Sequence, residues 1–244
     1  MPAFEKFDDP RRRLLVQALA AGFCASGLPR GAASAVELFG RPPSKLPAGQ
    51  SFYRIEGQVR VNGDDANLNS RVAPGDTVET GARSEAVFVV ERSAFILRSD
   101  SRLTIETPAE DSLVRSALRL TTGALLSVYP SGYPTRLTTS TATIGVRGTG
   151  LYLESDPGQT YFCTCYGVAD VAANDDPGSR DTVTSEHHDR PLYIVAGAQP
   201  GQSIRAAPFL NHTDQELMLI ETLVGREPPF VFPGDAYDAP RRDY

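Results

Sequence analysis

Hydrophobic and polar positions in this chain alternate over short stretches, and turn-forming residues interrupt them every few positions. Val114, Ser116, Leu118 and Leu120 alternate with Arg115, Ala117 and Arg119. That period of two puts one face of a strand in a core and the other in water. A first β-prone run over residues 55–61 ends at Asn62-Gly63-Asp64, where Asn and Gly tolerate positive φ. Pro74-Gly75-Asp76 makes the next turn and leads through residues 77–80 to Gly81, and runs over 85–91, 94–98 and 102–106 follow. An apolar run at 123–129 closes at Pro130-Ser131-Gly132, and a Thr-rich strand is expected over 138–143. Residues 151–154 and 160–171 read as strands around Asp156-Pro157-Gly158, with a last run at 192–195. About a dozen short strands with almost no helical periodicity predict an all-β fold, either a β-sandwich or a short β-solenoid. Parallel α/β folds are disfavoured.

One helix is expected near the C-terminus. Thr213-Asp214-Gln215-Glu216 has the spacing of a capping box, with His212 and Leu217 at the staple positions. Leu219, Ile220, Leu223 and Val224 give it an apolar stripe, and Gly225 is its expected stop. Three turns are marginal alone, so the helix should pack on the β-domain as a lid or brace. His212 reads first as a residue at the helix start.

The first 35 residues have a different pattern. Arg11, Arg12 and Arg13 form a positive region, residues 14–28 an apolar stretch, and Ala33-Ser34-Ala35 a small-residue cleavage site. Gln17, Gly22, Ser26 and Gly27 interrupt the stretch, which is too short for a transmembrane helix. A signal peptide cleaved after Ala35 is expected. Arg11-Arg12-Arg13-Leu14-Leu15 fits the twin-arginine pattern, and Arg30 precedes the cleavage site, although three arginines also suit an ordinary signal. A lipoprotein would need a small residue before Cys24, where Phe23 stands. Four segments follow: the signal at 1–35, a Pro- and Gly-rich extended lead-in at 36–51, a β-domain at 52–205, and a C-terminal helix with an extended tail at 206–244.

Composition agrees with a globular protein: 244 residues, 41% hydrophobic and 22% charged, which excludes disorder, collagen and coiled coil. The net charge of −6 becomes −8 once the signal, with five basic and three acidic side chains, is removed. An acidic chain of this kind has no overall electrostatic footprint for nucleic acid. Catalytic signatures are absent: there is no G-x-S-x-G, no H-E-x-x-H and no phosphate loop, so no enzyme is expected.

Several spaced elements resemble one family. Gly75-Asp76-Thr77-Val78-Glu79-Thr80-Gly81, followed by Ser84 and Ala86, resembles the GD-x-hydrophobic-x-TG element of the FecR domain. Leu118, Leu120 and Gly123 match its L-x-L-x-x-G strand, and residues 141–149 (Thr-Ala-Thr-Ile-Gly-Val-Arg-Gly-Thr) resemble its signature turn. The resemblance is strongest over 57–154 and departs at Glu91-Arg92-Ser93, where the family has Asp-Gly-Ser. It implies a β-domain in the periplasm of a Gram-negative bacterium. FecR proper joins a cytoplasmic anti-sigma segment, one membrane span and a periplasmic sensory part, and only a stand-alone periplasmic module is expected here. Its partner would be an envelope component or a periplasmic protein. On their own chemistry the signature residues are structural. Gly75 and Gly81 are expected at positive φ, and Gly145 and Gly148 at close backbone approaches. Thr141, Thr143 and Thr149 suit exposed strand edges. Arg147 is expected as a buried partner of a carboxylate or of turn carbonyls.

The sharpest chemistry is Tyr161-Phe162-Cys163-Thr164-Cys165-Tyr166-Gly167, followed by His187-His188. Positions i and i+2 of a strand share a face, so both thiols point at one spot, and a histidine preceding the 192–195 strand could reach it. Two thiolates and one or two imidazoles would make a soft site for zinc or iron built from Cys163, Cys165, His187 and His188. A strained disulfide, favoured by an oxidising compartment, and a pair of packed, silent thiols are the other readings. Adjacent histidines on a strand would face opposite sides, leaving one as the partner. The chain therefore reads as a non-catalytic binding, scaffold or sensory module, or alternatively as a metal- or redox-responsive protein.

Residues 1–35 fused to a reporter that works only after twin-arginine export should give activity, and Arg11→Lys with Arg12→Lys should abolish it. No activity from the unsubstituted fusion would assign the segment to the ordinary secretory route.

Overall fold

The computed structural model describes residues 43–109 and 112–227. The signal at 1–35, the start of the lead-in and the tail from residue 228 lie outside the described residues. Among them fifteen strands form, more than the dozen expected. In order they are β1 (Phe52–Glu56), β2 (Val59–Val61), β3 (Asp64–Asp65), β4 (Thr77–Thr80), β5 (Glu85–Val90), β6 (Ser93–Leu97) and β7 (Arg102–Glu106). Then come β8 (Ser116–Val128), β9 (Thr135–Thr138), β10 (Ala142–Val146), β11 (Gly150–Asp156), β12 (Gln159–Ala173), β13 (Arg180–Ser185), β14 (Leu192–Val195) and β15 (Ile204–Ala206). The helix α1 spans Asp214–Leu223.

Two long strands organise the rest. The N-terminal part of β8 pairs with β7 and, in parallel, with β9, whereas its C-terminal part pairs with β6 and β11. Strand β12 likewise pairs first with β11 and β14, then with β10 and β13. The ladder β8-β11-β12-β10-β9-β8 therefore closes on itself, a barrel-like ring with further strands extending from it. Each long strand changes partners at a glycine with positive φ, Gly123 at 85° and Gly167 at 90°. A Cβ at Gly123 would lie 2.5 Å from the Ser101 Cα, and one at Gly167 would lie 2.7 Å from the Gly148 carbonyl oxygen. Only glycine combines that backbone with that proximity.

The ring encloses one core, in which Phe88, Leu97, Leu118, Leu125, Leu153 and Phe162 are buried. A second core lies on the outer face of β5, β6, β8, β11 and β12, where Val87, Ile96, Leu126 and Tyr152 meet Leu217, Ile220 and Leu223 of α1. Strand β6, Ser93–Leu97, is buried at every position because its alternating side chains enter different cores. Such a strand reads as a continuous apolar run. The helix starts as expected: Thr213 accepts from the Glu216 amide, and Glu216 accepts from the Thr213 amide at 3.0 Å.

Several local expectations are corrected. The run 55–61 breaks at Gly57 (φ 68°), and the runs at 114–120 and 123–129 are one strand bent at Gly123. The run 138–143 is broken by a corner at 139–141, with Thr138 ending β9 and Ala142 and Thr143 opening β10. Gly75 has positive φ, 101°, beside Asp76, whose carboxylate accepts from the Ala73 amide at 2.8 Å. Gly81 is not at positive φ; a Cβ there would meet the Gln58 side chain at 3.3 Å. Gly148 makes the expected close approach, 2.4 Å from a built Cβ to the Ser131 Cα, but Gly145 has 3.8 Å of room. Thr141 and Thr149 are buried rather than exposed: Thr141 donates to the Ile194 carbonyl at 2.9 Å and Thr149 to that of Tyr166. Arg147 does pair with a carboxylate, Asp170, but on the surface, with 66% of its side chain exposed.

Gly123→Ala and Gly167→Ala should each cost about 2–4 kcal/mol in denaturant unfolding, from left-handed strain plus overpacking. Gly158→Ala, with nothing within 4 Å of its Cβ, is the control and should change stability by less than about 0.5 kcal/mol.

Candidate functional site

The two cysteines reach one spot through a defect in the ladder. Between β11 and β12 the register jumps at Gly150 and Leu151, which pair with Tyr166 and Thr164, so Cys165 has no partner on β11. Bulges of this kind re-aim side chains. Cys163, Cys165 and Tyr166 all project into the second core, beneath α1. The Cys165 carbonyl accepts from the His188 amide at 2.9 Å. Both thiols are free and fully buried.

Histidines arrive from two other segments. His187 and His188 sit in a bend after β13, not on a strand, and His188 has a φ of 53°. Their rings therefore turn toward the same carboxylate, Asp214, at 3.0 Å each. His188 Nδ1 lies 3.6 Å from Cys163 Sγ and 3.1 Å from His212 Nε2. His212 is fully buried, stacks on Tyr152 at 4.4 Å and donates from Nδ1 to the Leu210 carbonyl at 2.6 Å. Donor atoms of Cys163, Cys165, His188 and His212 all lie within 4.8 Å of one another. A second group, His187, His188 and Asp214, adjoins it.

Four of the expected site residues thus divide. Cys163, Cys165 and His188 converge, whereas His187 lies on Asp214 with 28% of its side chain exposed. His212 and Asp214 were missing from the expected set. Both had been placed by their helix-start positions, and the signal for them was a histidine immediately before a capping box, whose side chain must fold back over whatever the helix covers.

The electrostatics separate the two thiols. Burial pushes Cys163 up, but hydrogen bonds from Cys165, His188 and His212 together outweigh it and hold the thiol well below its ordinary range. Burial, with the neighbouring Cys163 and the Asp214 carboxylate, pushes Cys165 well above it. Burial would lower His188, yet Cys163 and Asp214 outweigh that and raise it. Cys163, His188 and Asp214 thus form a buried, hydrogen-bonded chain of titratable groups. Alongside it, Tyr166 donates to Glu221 of α1, which Arg226 Nε contacts at 2.7 Å. Arg98 joins Glu85 to Glu216 at the other end of the helix.

Residues 76–169 match the family model described as FecR protein. That span includes both cysteines and ends before His188, His212, Asp214 and α1. No curated protein matches the chain. A crystal structure of a candidate anti-sigma factor from Parabacteroides distasonis is similar at 12% identity and a TM-score of 0.45, over 68% of this chain and 84% of that one. A second such structure from the same organism gives 11% identity and a TM-score of 0.43, over 66% and 81%.

In reduced, chelator-treated protein, ultraviolet absorption should show about one thiolate per chain at neutral pH, lost in Cys163→Ser and kept in Cys165→Ser. Because Cys163 is lowered in the folded state, its stabilisation is present above the ordinary thiol range and is lost as pH falls through the folded value. The raised His188 gives the opposite slope: full below the ordinary imidazole value, lost as pH rises through its folded one. Two silent thiols would show no thiolate until pH passed the ordinary thiol range.

Proposed function

We propose that this chain, a FecR-domain protein, is a non-catalytic sensory or binding module of the periplasm whose partner is an envelope component or a periplasmic protein. The observation that carries the reading is the FecR match over 76–169, which spans most of the closed ring. Two further features support it. The reactive groups are sealed: Cys163, Cys165, His212 and Asp214 have no solvent exposure, so no substrate could reach the thiolate without displacing α1. Among the described residues, no helix is long and apolar enough to cross a membrane.

A module of this kind needs a surface that changes when its input arrives. Helix α1 is the candidate, since it covers the second core through three buried apolar side chains and is tied to the β-domain by the buried Arg98–Glu216 ion pair near its start and by Tyr166, which donates to Glu221, near its end. Such pairs hold one geometry more than they add stability.

Deleting the gene should change a defined set of transcripts during envelope stress. The full chain should restore them, and a chain lacking residues 1–35 should not. An unchanged transcript profile in every envelope condition would overturn the sensory reading, and rescue by the unexported chain would overturn the periplasmic one.

A further inference from the structure

We infer that Cys163, Cys165, His188 and His212 form a tetrahedral binding site for a divalent cation of the zinc class, which ties the segment carrying α1 to strand β12. The donor set comes from three separate places: the bulged strand, the bend after β13 and the residue before the helix. Two sulfur and two imidazole nitrogen donors are the set that selects zinc over calcium or magnesium.

The hydrogen bonds prescribe which nitrogens face the site. The Leu210 carbonyl can only accept, so His212 must carry its proton on Nδ1, leaving a lone pair on Nε2. The Asp214 carboxylate accepts from His188 Nε2, leaving a lone pair on Nδ1. Those two bare nitrogens face each other at 3.1 Å, beside Cys163 Sγ at 3.6 Å from the His188 nitrogen. Facing lone pairs at that distance require a cation between them, either a proton or a metal.

The 3.1 Å separation alone is equally that of a shared proton, so the donor set and its surroundings, with distances near those of a metal site, carry the assignment. Bonds of about 2.3 Å to sulfur and 2.0–2.1 Å to nitrogen give tetrahedral edges of about 3.3–3.8 Å. The measured 3.1 and 3.6 Å are close to these, and the whole set lies within 4.8 Å. The surroundings also match those of metal-bound histidine, which donates its other nitrogen to a carboxylate or carbonyl. His188 does so to Asp214 and His212 to Leu210. Partly exposed His187, on the far side of the same carboxylate, edges a surface cleft that none of the four donors lines, so a cation would enter when the segment carrying α1 lifts. Binding releases the Cys165 thiol proton and any proton shared among the Cys163 sulfur and the imidazoles to solvent, and two thiolates neutralise the dication.

The test is a titration of reduced, chelator-stripped protein with zinc against a colorimetric chelator, and with cobalt(II) in parallel. One equivalent should bind, and cobalt should give thiolate charge-transfer bands with the intense visible bands of tetrahedral geometry. Cys163→Ser and Cys165→Ser should each weaken zinc by at least about 100-fold and His212→Gln by at least about 10-fold, with His187→Gln within about threefold. Circular dichroism checks that each variant folds. If a cysteine variant does not, the wild-type cobalt spectrum decides alone: sulfur-ligated tetrahedral bands support the site, and a weak octahedral spectrum overturns it. Absence of binding, a Cys163 to Cys165 disulfide that binds nothing once reduced, or equal losses in His187→Gln and His212→Gln would each overturn it. Metal is read directly, so failure here leaves the sensory reading standing, and a silent transcript profile leaves the metal site standing.

Discussion

The fold depends on two bends. Strands β8 and β12 can serve both halves of the ladder only because Gly123 and Gly167 hold conformations that other residues avoid, each in near contact with a neighbouring segment. The ring closes there, and closure removes the open edges on those strands that would otherwise invite pairing with other chains. It also commits one stretch of sheet to having two apolar faces. The outer face must then be covered. Leu217, Ile220 and Leu223 do so, and full burial of each contributes about 1.5–3 kcal/mol, enough to fix a helix of three turns that would fray in water.

Covering that face brings polar groups into the molecule. The chain between β15 and α1 crosses the second core, which is how His212 and Asp214 come to rest against Cys163, Cys165 and His188 with almost no exposure. Burying charge costs several kcal/mol per ion unless partners restore the lost hydration. Here each charge has one: Asp214 accepts from both His187 and His188, and the Cys163 sulfur lies against His188. An apolar filling of the same volume would be as stable or more so. Stability alone therefore does not account for the cluster.

Much of the architecture was readable in the sequence because it is local. Thr213 with Glu216 forms the capping box, Gly75 takes the turn, and alternation over 114–120 marks a half-wet strand. What was not readable depends on distant partners. Residues 114–120 and 123–129 look like two strands because Gly123 resembles a stop, and only pairing with both β7 and β6 makes them one. The register jump at Cys165 leaves no local mark, nor does the burial of Thr149 against the Tyr166 carbonyl. His187 and His188 were assigned opposite faces on the premise of a strand. A left-handed residue at His188 undoes that premise and turns both rings toward Asp214.

The division of donors between two parts of the chain has a thermodynamic consequence. Cys163 and Cys165 lie within the FecR match, whereas His188, His212 and Asp214 lie beyond it. Anything that engages all four donor atoms binds only the arrangement in which α1 is seated, and therefore stabilises that arrangement by mass action. At a free concentration 100 times the dissociation constant this amounts to about 2.7 kcal/mol, about the contribution of one fully buried leucine. That increment is comparable to the contribution of any one of the three apolar side chains that hold α1, beside its contacts with Arg98 and Tyr166. The cluster meets α1 at its first residue, Asp214, and at His212, two positions before it, so whatever occupied the cluster would act directly on the start of the helix.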